Sequence, residues 1–284
     1  MTATVPAPAK LTLSLRVTGA RPDGYHLLDA EMVTIDLADD LTFAAGTGIV
    51  VVDEVVGGLG AAAVPAGPDN LVARALAAVG RRAAVTIVKR IPAGAGLGGG
   101  SADAAAVLRW AGVADLDVAG RLGSDVPFCV AGGRARVGGA GESVEALPFE
   151  ERRFVLLLPP VAVDTGAVYA AWDRRRARRR GGRGAGGGDA GGGDGGGDEG
   201  AGNDLEPAAL DVVPVLERWR DRLGEATGRR PRLAGSGAAW FVEGEPEALG
   251  LGGVDALTVD GARAPLVAVR TVPGVGGGDR TTSL

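Results

Sequence analysis

The chain has little of what would tie it to an oxidising compartment, a polyanion or a bilayer. It carries one cysteine, Cys129, so no internal disulfide can form. Positive charge is not in excess, since 30 Lys and Arg stand against 35 Asp and Glu for a formal net charge of −5. That leaves no global basic field to recruit nucleic acid or an anionic surface. Long hydrophobic runs are also missing. The longest, at 154–158 and 49–52, are strand-sized and far short of a membrane span, and Met1-Thr2-Ala3-Thr4 is not followed by an apolar signal segment. These shortages point to a cytoplasmic protein with neither a nucleic-acid nor a membrane partner. Aromatic residues make up only 4% of the chain, with two tyrosines and a single histidine, so the places where those side chains stand are informative.

Glycine is abundant instead, at 50 of 284 residues, far above the usual level of about 7%. Its placement divides into two kinds. From 181 to 202, 14 of 22 residues are glycine and none is apolar and larger than alanine, the composition of a flexible linker. The linker follows an arginine block at 174–180. Such a block could meet phosphates, but Asp189, Asp194, Asp198 and Glu199 lie close by to neutralise it, so 174–202 reads as a solvated, disordered insert of minor functional weight.

Around the insert the pattern is α+β. Leu11, Leu13, Leu15 and Val17 alternate with Lys10, Thr12, Ser14 and Arg16, the signature of a half-buried strand with one polar face. Arg21-Pro22-Asp23-Gly24 then supplies turn chemistry. Further strands are expected at 31–37, 49–52, 85–89, 135–137, 154–158, 239–243 and 265–272, and helices at 70–79, 101–110, 118–122, 212–223 and 246–249. The expected organisation is two lobes, 1–153 and 154–273, with the insert inside the second and a frayed tail at 274–284.

The second kind of glycine cluster joins a strand to a helix. Pro92, Ala93, Gly94, Ala95, Gly96, Leu97, Gly98, Gly99, Gly100, Ser101 and Ala102 lie between Val85-Thr86-Ile87-Val88-Lys89 and an alanine-rich helix, with Ser101 or a neighbour placed to cap it. Successive glycines let backbone N–H groups turn toward one point, and the helix N-terminus adds partial positive charge there. That point suits a phosphate. The Walker pattern fails because Gly100, not lysine, precedes Ser101. The dinucleotide pattern is met by Gly94, Gly96 and Gly99, but the acidic residue it needs after a second strand is missing.

Read with its surroundings, the loop resembles the GHMP kinase superfamily, whose signature is a proline, small residues and glycines, then Leu-Gly-Gly-Gly-Ser. Other blocks of the family follow in order: Pro8-Ala9-Lys10-Leu11, Arg21 to His26, Asp69-Asn70-Leu71, Gly123-Ser124-Asp125-Val126-Pro127-Phe128, Asn203-Asp204-Leu205-Glu206 and Gly235-Ser236-Gly237. The resemblance implies a two-lobed α+β fold with the active site in the cleft between lobes. It also implies an ATP-dependent small-molecule kinase with Mg²⁺ as the nucleotide's counter-ion, although no carboxylate cluster identifies metal ligands. Lys10 and Asp125 would be catalytic, the residues from Pro92 to Ala102 would hold the ATP phosphates, and Asn70 and Lys89 would contact the adenosine.

Within the superfamily the likeness is to the branch that phosphorylates a cytidine diphosphate methylerythritol in the non-mevalonate route to isoprenoids. It implies Tyr25 and Tyr169 on either side of the cytosine, His26 at its edge and Thr12 near the acceptor. Two positions depart from the pattern: Thr12 stands for an asparagine, and Ala170 for a lysine found in some members. Two rival readings stay open. Another GHMP kinase, acting on mevalonate, homoserine or a sugar, would share the loop; a non-catalytic nucleotide binder would use the arginine block for RNA.

Overall fold

The computed structural model describes residues 2–58, 64–181 and 202–274. Strand β1, Ala3–Ala20, pairs antiparallel with β2, His26–Ala44. The connecting turn is closed by Arg21 N–H to the Tyr25 carbonyl at 2.7 Å and by an Arg21–Asp23 ion pair at 2.6 Å. Pro6 and Pro8 are tolerated inside β1 because, among the described strands, only β2 pairs with it. Next come β3, Gly48–Asp53; α1, Leu71–Ala78; and β4, Ala84–Lys89, with β3 parallel to β4. After these follow α2, Gly99–Ala111; α3, Leu116–Leu122; α4, Val126–Ala131; β5, Arg134–Gly139; and β6, Ser143–Leu147. The first sheet runs β3-β4-β2-β5-β6, with β1 also on β2.

The second sheet is antiparallel throughout and is ordered β10-β11-β7-β9-β8. It comprises β7, Arg153–Leu157; β8, Arg232–Leu233; β9, Trp240–Glu243; β10, Ala256–Val259; and β11, Ala262–Arg270, accompanied by α5, Thr165–Gly181; α6, Glu206–Val212; and α7, Val215–Thr227. One apolar cluster joins the two halves. Leu11 and Leu13 of β1, Ile35 of β2 and Leu97 of the glycine loop pack with Phe154, Leu156 and Phe241 of the second sheet. The Phe154 and Phe241 rings meet edge to face at 5.7 Å, a geometry that favours aromatic pairs beyond their buried area.

Three expectations change. The polar face of β1 is not solvated throughout: Lys10 and Thr12 are 4% and 2% exposed, covered by the glycine loop and the turn at Gly235, while Arg16 stays exposed. Helix α5 continues through the arginine block to Gly181, so 174–181 is helical rather than a disordered insert, as befits arginine's good helix propensity. The remainder of the insert, 182–201, and the tail from 275 lie outside the described residues. Residues 246–249 form turns rather than a helix.

Candidate active site

The alternating loop residues do different work. Gly94, Gly96 and Gly98 all have positive φ, at 70°, 78° and 71°, while the intervening Ala95 and Leu97 side chains are buried at 5% and 1% exposure. The apolar residues anchor the loop and the glycines adopt the left-handed turns between them. Gly98 is the N-cap of α2 in the left-handed conformation and offers no side-chain cap, so the first-turn donors are left for a ligand. Ser101 lies inside that turn rather than at the cap. At Gly96 the constraint is absolute, since a Cβ there would stand 2.0 Å from the Ala234 carbonyl oxygen. The loop thus rests directly on the turn before β9, where Ala239 N–H donates to the Ala95 carbonyl at 3.1 Å.

Lys10 is placed against this loop by its own strand. Its N–H donates to the Leu97 carbonyl at 3.0 Å, and a Cβ on Gly98 would meet the lysine's Cγ at 2.9 Å. Its ammonium reaches Thr12 Oγ1 at 3.1 Å and Asp125 Oδ2 at 3.5 Å. Asp125 occupies the N-cap position of α4 yet makes no capping bond with its side chain, so its carboxylate is free to face Lys10 and stays about one-third exposed. Behind it, burial first and Asp125 second push the Cys129 thiol up to about 12, which removes it as a nucleophile at neutral pH.

Both groups line a cavity of about 960 Å³ that also takes in Asn70, Lys89, the loop from Pro92 to Ser101, Tyr25, His26 and Tyr169. Ala102 is the exception. It is fully buried, with its N–H spent on the Gly98 carbonyl at 2.8 Å, because it has already entered the body of the helix. Asn70 and Lys89 line the cavity but are committed locally. The Asn70 amide caps α1 through Val72 N–H at 2.8 Å and donates to the Pro65 carbonyl at 2.7 Å. Lys89 is 3% exposed and ion-paired with Asp39 and, at 2.8 Å, with Asp103. Burial works against its charge, but Asp103 and Asp39 outweigh it and raise its pKa. Burial raises Asp103 to about 7 against the attraction of Lys89, with Asp39 adding to the rise.

Asp39 and Asp103 escaped sequence reasoning because nothing in the spacing joins them. Asp39 also accepts the Ile91 N–H at 2.8 Å, which fixes the entry to the glycine loop. The signal available was an acidic residue inside an alanine-rich helix, a position where charge is normally avoided.

The other end of the cavity is aromatic. Tyr169 sits on α5, and the His26 ring stacks on it at 4.7 Å with 23° between planes. His26 Nε2 lies 3.0 Å from Asp173 Oδ1, and Trp172 meets the ring edge-on at 5.5 Å. Tyr25, at the tip of the β1–β2 turn, is 59% exposed. Both tyrosines reach one cavity, and His26 covers one face of Tyr169. Burial and then Asp125 push the Tyr169 phenol up to about 12, so it remains a neutral ring.

Residues 70–133 match the GHMP kinases N terminal domain. The chain is 40% identical over 240 residues to the 4-diphosphocytidyl-2-C-methyl-D-erythritol kinase of Paracoccus denitrificans, covering 83% of this chain and 84% of that relative. It is 37% identical over 244 residues to the protein of the same name from Dinoroseobacter shibae, covering 83% of each. A crystal structure of 4-(cytidine 5'-diphospho)-2C-methyl-D-erythritol kinase superposes with a TM-score of 0.67 at 30% identity, over 95% of this chain and 100% of that one. The mevalonate kinase of L. major, at a TM-score of 0.59 and 11% identity, shares the fold alone. Identity of 40% carried across both sheets, not confined to the glycine loop, places the chain in the 4-diphosphocytidyl-2-C-methyl-D-erythritol kinase family of the GHMP kinases.

Proposed function

We infer that the chain is an ATP-dependent kinase that phosphorylates the 2-hydroxyl of 4-diphosphocytidyl-2-C-methyl-D-erythritol, with Lys10 and Asp125 serving the transfer. The observation that carries the chemistry is the Lys10–Asp125 pair at 3.5 Å beside the open N-terminus of α2. The acceptor's identity rests on the relatives.

The hydroxyl oxygen attacks the γ-phosphorus as the bond to the β–γ bridging oxygen breaks, and ADP leaves. Asp125 accepts the hydroxyl proton, with the Lys10 ammonium 3.5 Å from its carboxylate. Lys10 also offsets charge on the transferring phosphoryl, while the loop N–H groups hold the remaining phosphates. His26, Tyr169 and Tyr25 would hold the cytosine end and so position the methylerythritol end.

Mg²⁺ would enter with the nucleotide. Among the described residues no group of three or more His, Cys, Asp or Glu could cage it, and Asp103 is already held by Lys89. The described residues therefore do not by themselves build a metal site. No described helix is long and apolar enough to cross a membrane.

The test is ADP release with three acceptors: the cytidine diphosphate substrate, methylerythritol phosphate without its cytidylyl group, and mevalonate. Turnover confined to the first is expected. Equal efficiency with mevalonate would overturn the assignment.

A further inference from the structure

A second concavity, of about 890 Å³, lies further along α5 than the acceptor cavity. It is bounded by α5, the segment leading into α6, and the approach to β8. Six arginines face it, Arg152, Arg175, Arg176, Arg179, Arg230 and Arg232, against three carboxylates, Asp204, Glu206 and Glu243. Arginines thus outnumber carboxylates along this groove, on a chain whose formal net charge is −5.

The arginines are not equivalent. Glu243 holds Arg152 through two bonds of 2.8 and 2.6 Å, and Asp211 holds Arg175 at 2.7 Å. Arg232 is 3.7 Å from Glu243 and donates to the Leu13 carbonyl at 3.3 Å. Asp204 is spent on the Val17 N–H at 2.9 Å. Among the described residues, none of Arg176, Arg179 and Arg230 has a carboxylate within the 4.0 Å of an ion pair. Arg176 and Arg179 lie one turn apart on α5 and so share a face, while Arg230 comes from the approach to β8.

Scattered surface arginines simply stay solvated. Here three of them converge on a cleft of ligand size, and Arg176 is held over the Trp172 ring at 5.3 Å. Guanidinium forks pair with phosphoryl oxygens, two donors to two acceptors. Two linked phosphoryl groups, each carrying about 1.5 negative charges near neutral pH, match these three arginines.

We propose that this groove is a second ligand site, distinct from the glycine loop, that binds a diphosphate-bearing small anion through Arg176, Arg179 and Arg230. Trp172 is the shared wall, since its ring meets Arg176 on the groove side and the His26 edge on the acceptor side at 5.5 Å. Occupancy of the groove is therefore felt at His26.

The test uses the full chain with saturating ADP filling the glycine loop and about 0.15 M salt screening loose surface attraction. Inorganic pyrophosphate is titrated and followed by calorimetry and tryptophan fluorescence. A single saturable site per chain is expected, together with a fluorescence change that disappears in Trp172→Phe. The triple variant Arg176→Ser, Arg179→Ser, Arg230→Ser should weaken binding by about tenfold or more and leave turnover without pyrophosphate unchanged. Should that variant fold poorly, Arg179→Ser alone, at an exposed helical position, should weaken binding by about threefold or more. No saturable binding, or binding indifferent to these arginines, overturns the proposal. Equal affinity for orthophosphate overturns the paired-phosphoryl assignment, and tighter binding of single-stranded RNA replaces the small anion with a nucleic acid.

Discussion

Replacing Asp103 with asparagine isolates the proton held beneath the glycine loop. Two carboxylates and one ammonium are buried together there, and Asp103 Oδ1 has no hydrogen-bond partner. The carboxyl ionises near 3.8 when unfolded and near 7 when folded, so the native state binds its proton more tightly. The stability this contributes is complete below about pH 4 and is lost as pH rises through about 7. Each tenfold change in proton affinity is worth about 1.36 kcal/mol, so the effect amounts to a few kcal/mol, more than half of it falling between about pH 5 and 8. Asparagine keeps an oxygen for Lys89 but has no proton to lose. Urea unfolding of both proteins across that range should show the wild type losing roughly that amount relative to Asp103→Asn, whatever their absolute difference at any one pH. Parallel profiles would refute the reasoning and mean that Lys89 alone neutralises the site.

Three further outcomes are expected. Lys10→Ala and Asp125→Asn should each lower kcat by about two orders of magnitude or more with nucleotide affinity retained; near-normal turnover in either would remove that residue from the transfer. Tyr169→Ala strips the ring on which His26 rests, and should weaken acceptor binding by about 1–3 kcal/mol with ATP affinity unchanged; an unaltered KM for the acceptor would show that the base binds elsewhere. Gly237→Ala would place a Cβ 1.9 Å from the Gly96 nitrogen, so the loop must separate from the second sheet, and a fall in both thermal stability and ATP affinity is expected, with wild-type ATP affinity as the contrary result.

The glycine loop was legible because its chemistry is local: strand, alternating glycines and helix follow one another in sequence. Lys10 was legible as a residue on a polar strand face, but periodicity reports polarity and says nothing of what packs over it, and the burial of Lys10 and Thr12 depends on the loop and turn that cover them. The arginine block looked like solvated insert because composition alone cannot show that α5 begins before it and carries it along. Asp39, Asp103 and Asp173 were invisible for a shared reason. Each takes its meaning from a partner on another element, Lys89 for the first two and His26 for the third. The stacking of His26 on Tyr169 was missed in the same way, since both residues were seen while their mutual contact belongs to the tertiary fold.

The meeting of Gly96 with the turn at 234–237 has a bearing on how the protein is made. Chains emerge from the ribosome N-terminus first, and domains generally fold as they appear. Lys10 and the loop precede in that order the backbone on which the loop rests, at Ala234, Gly237 and Ala239, which emerges well over a hundred residues later. A nascent chain stalled before Ala234 lacks that support, so ATP affinity should arise only once this segment has emerged instead of growing in proportion to the length made.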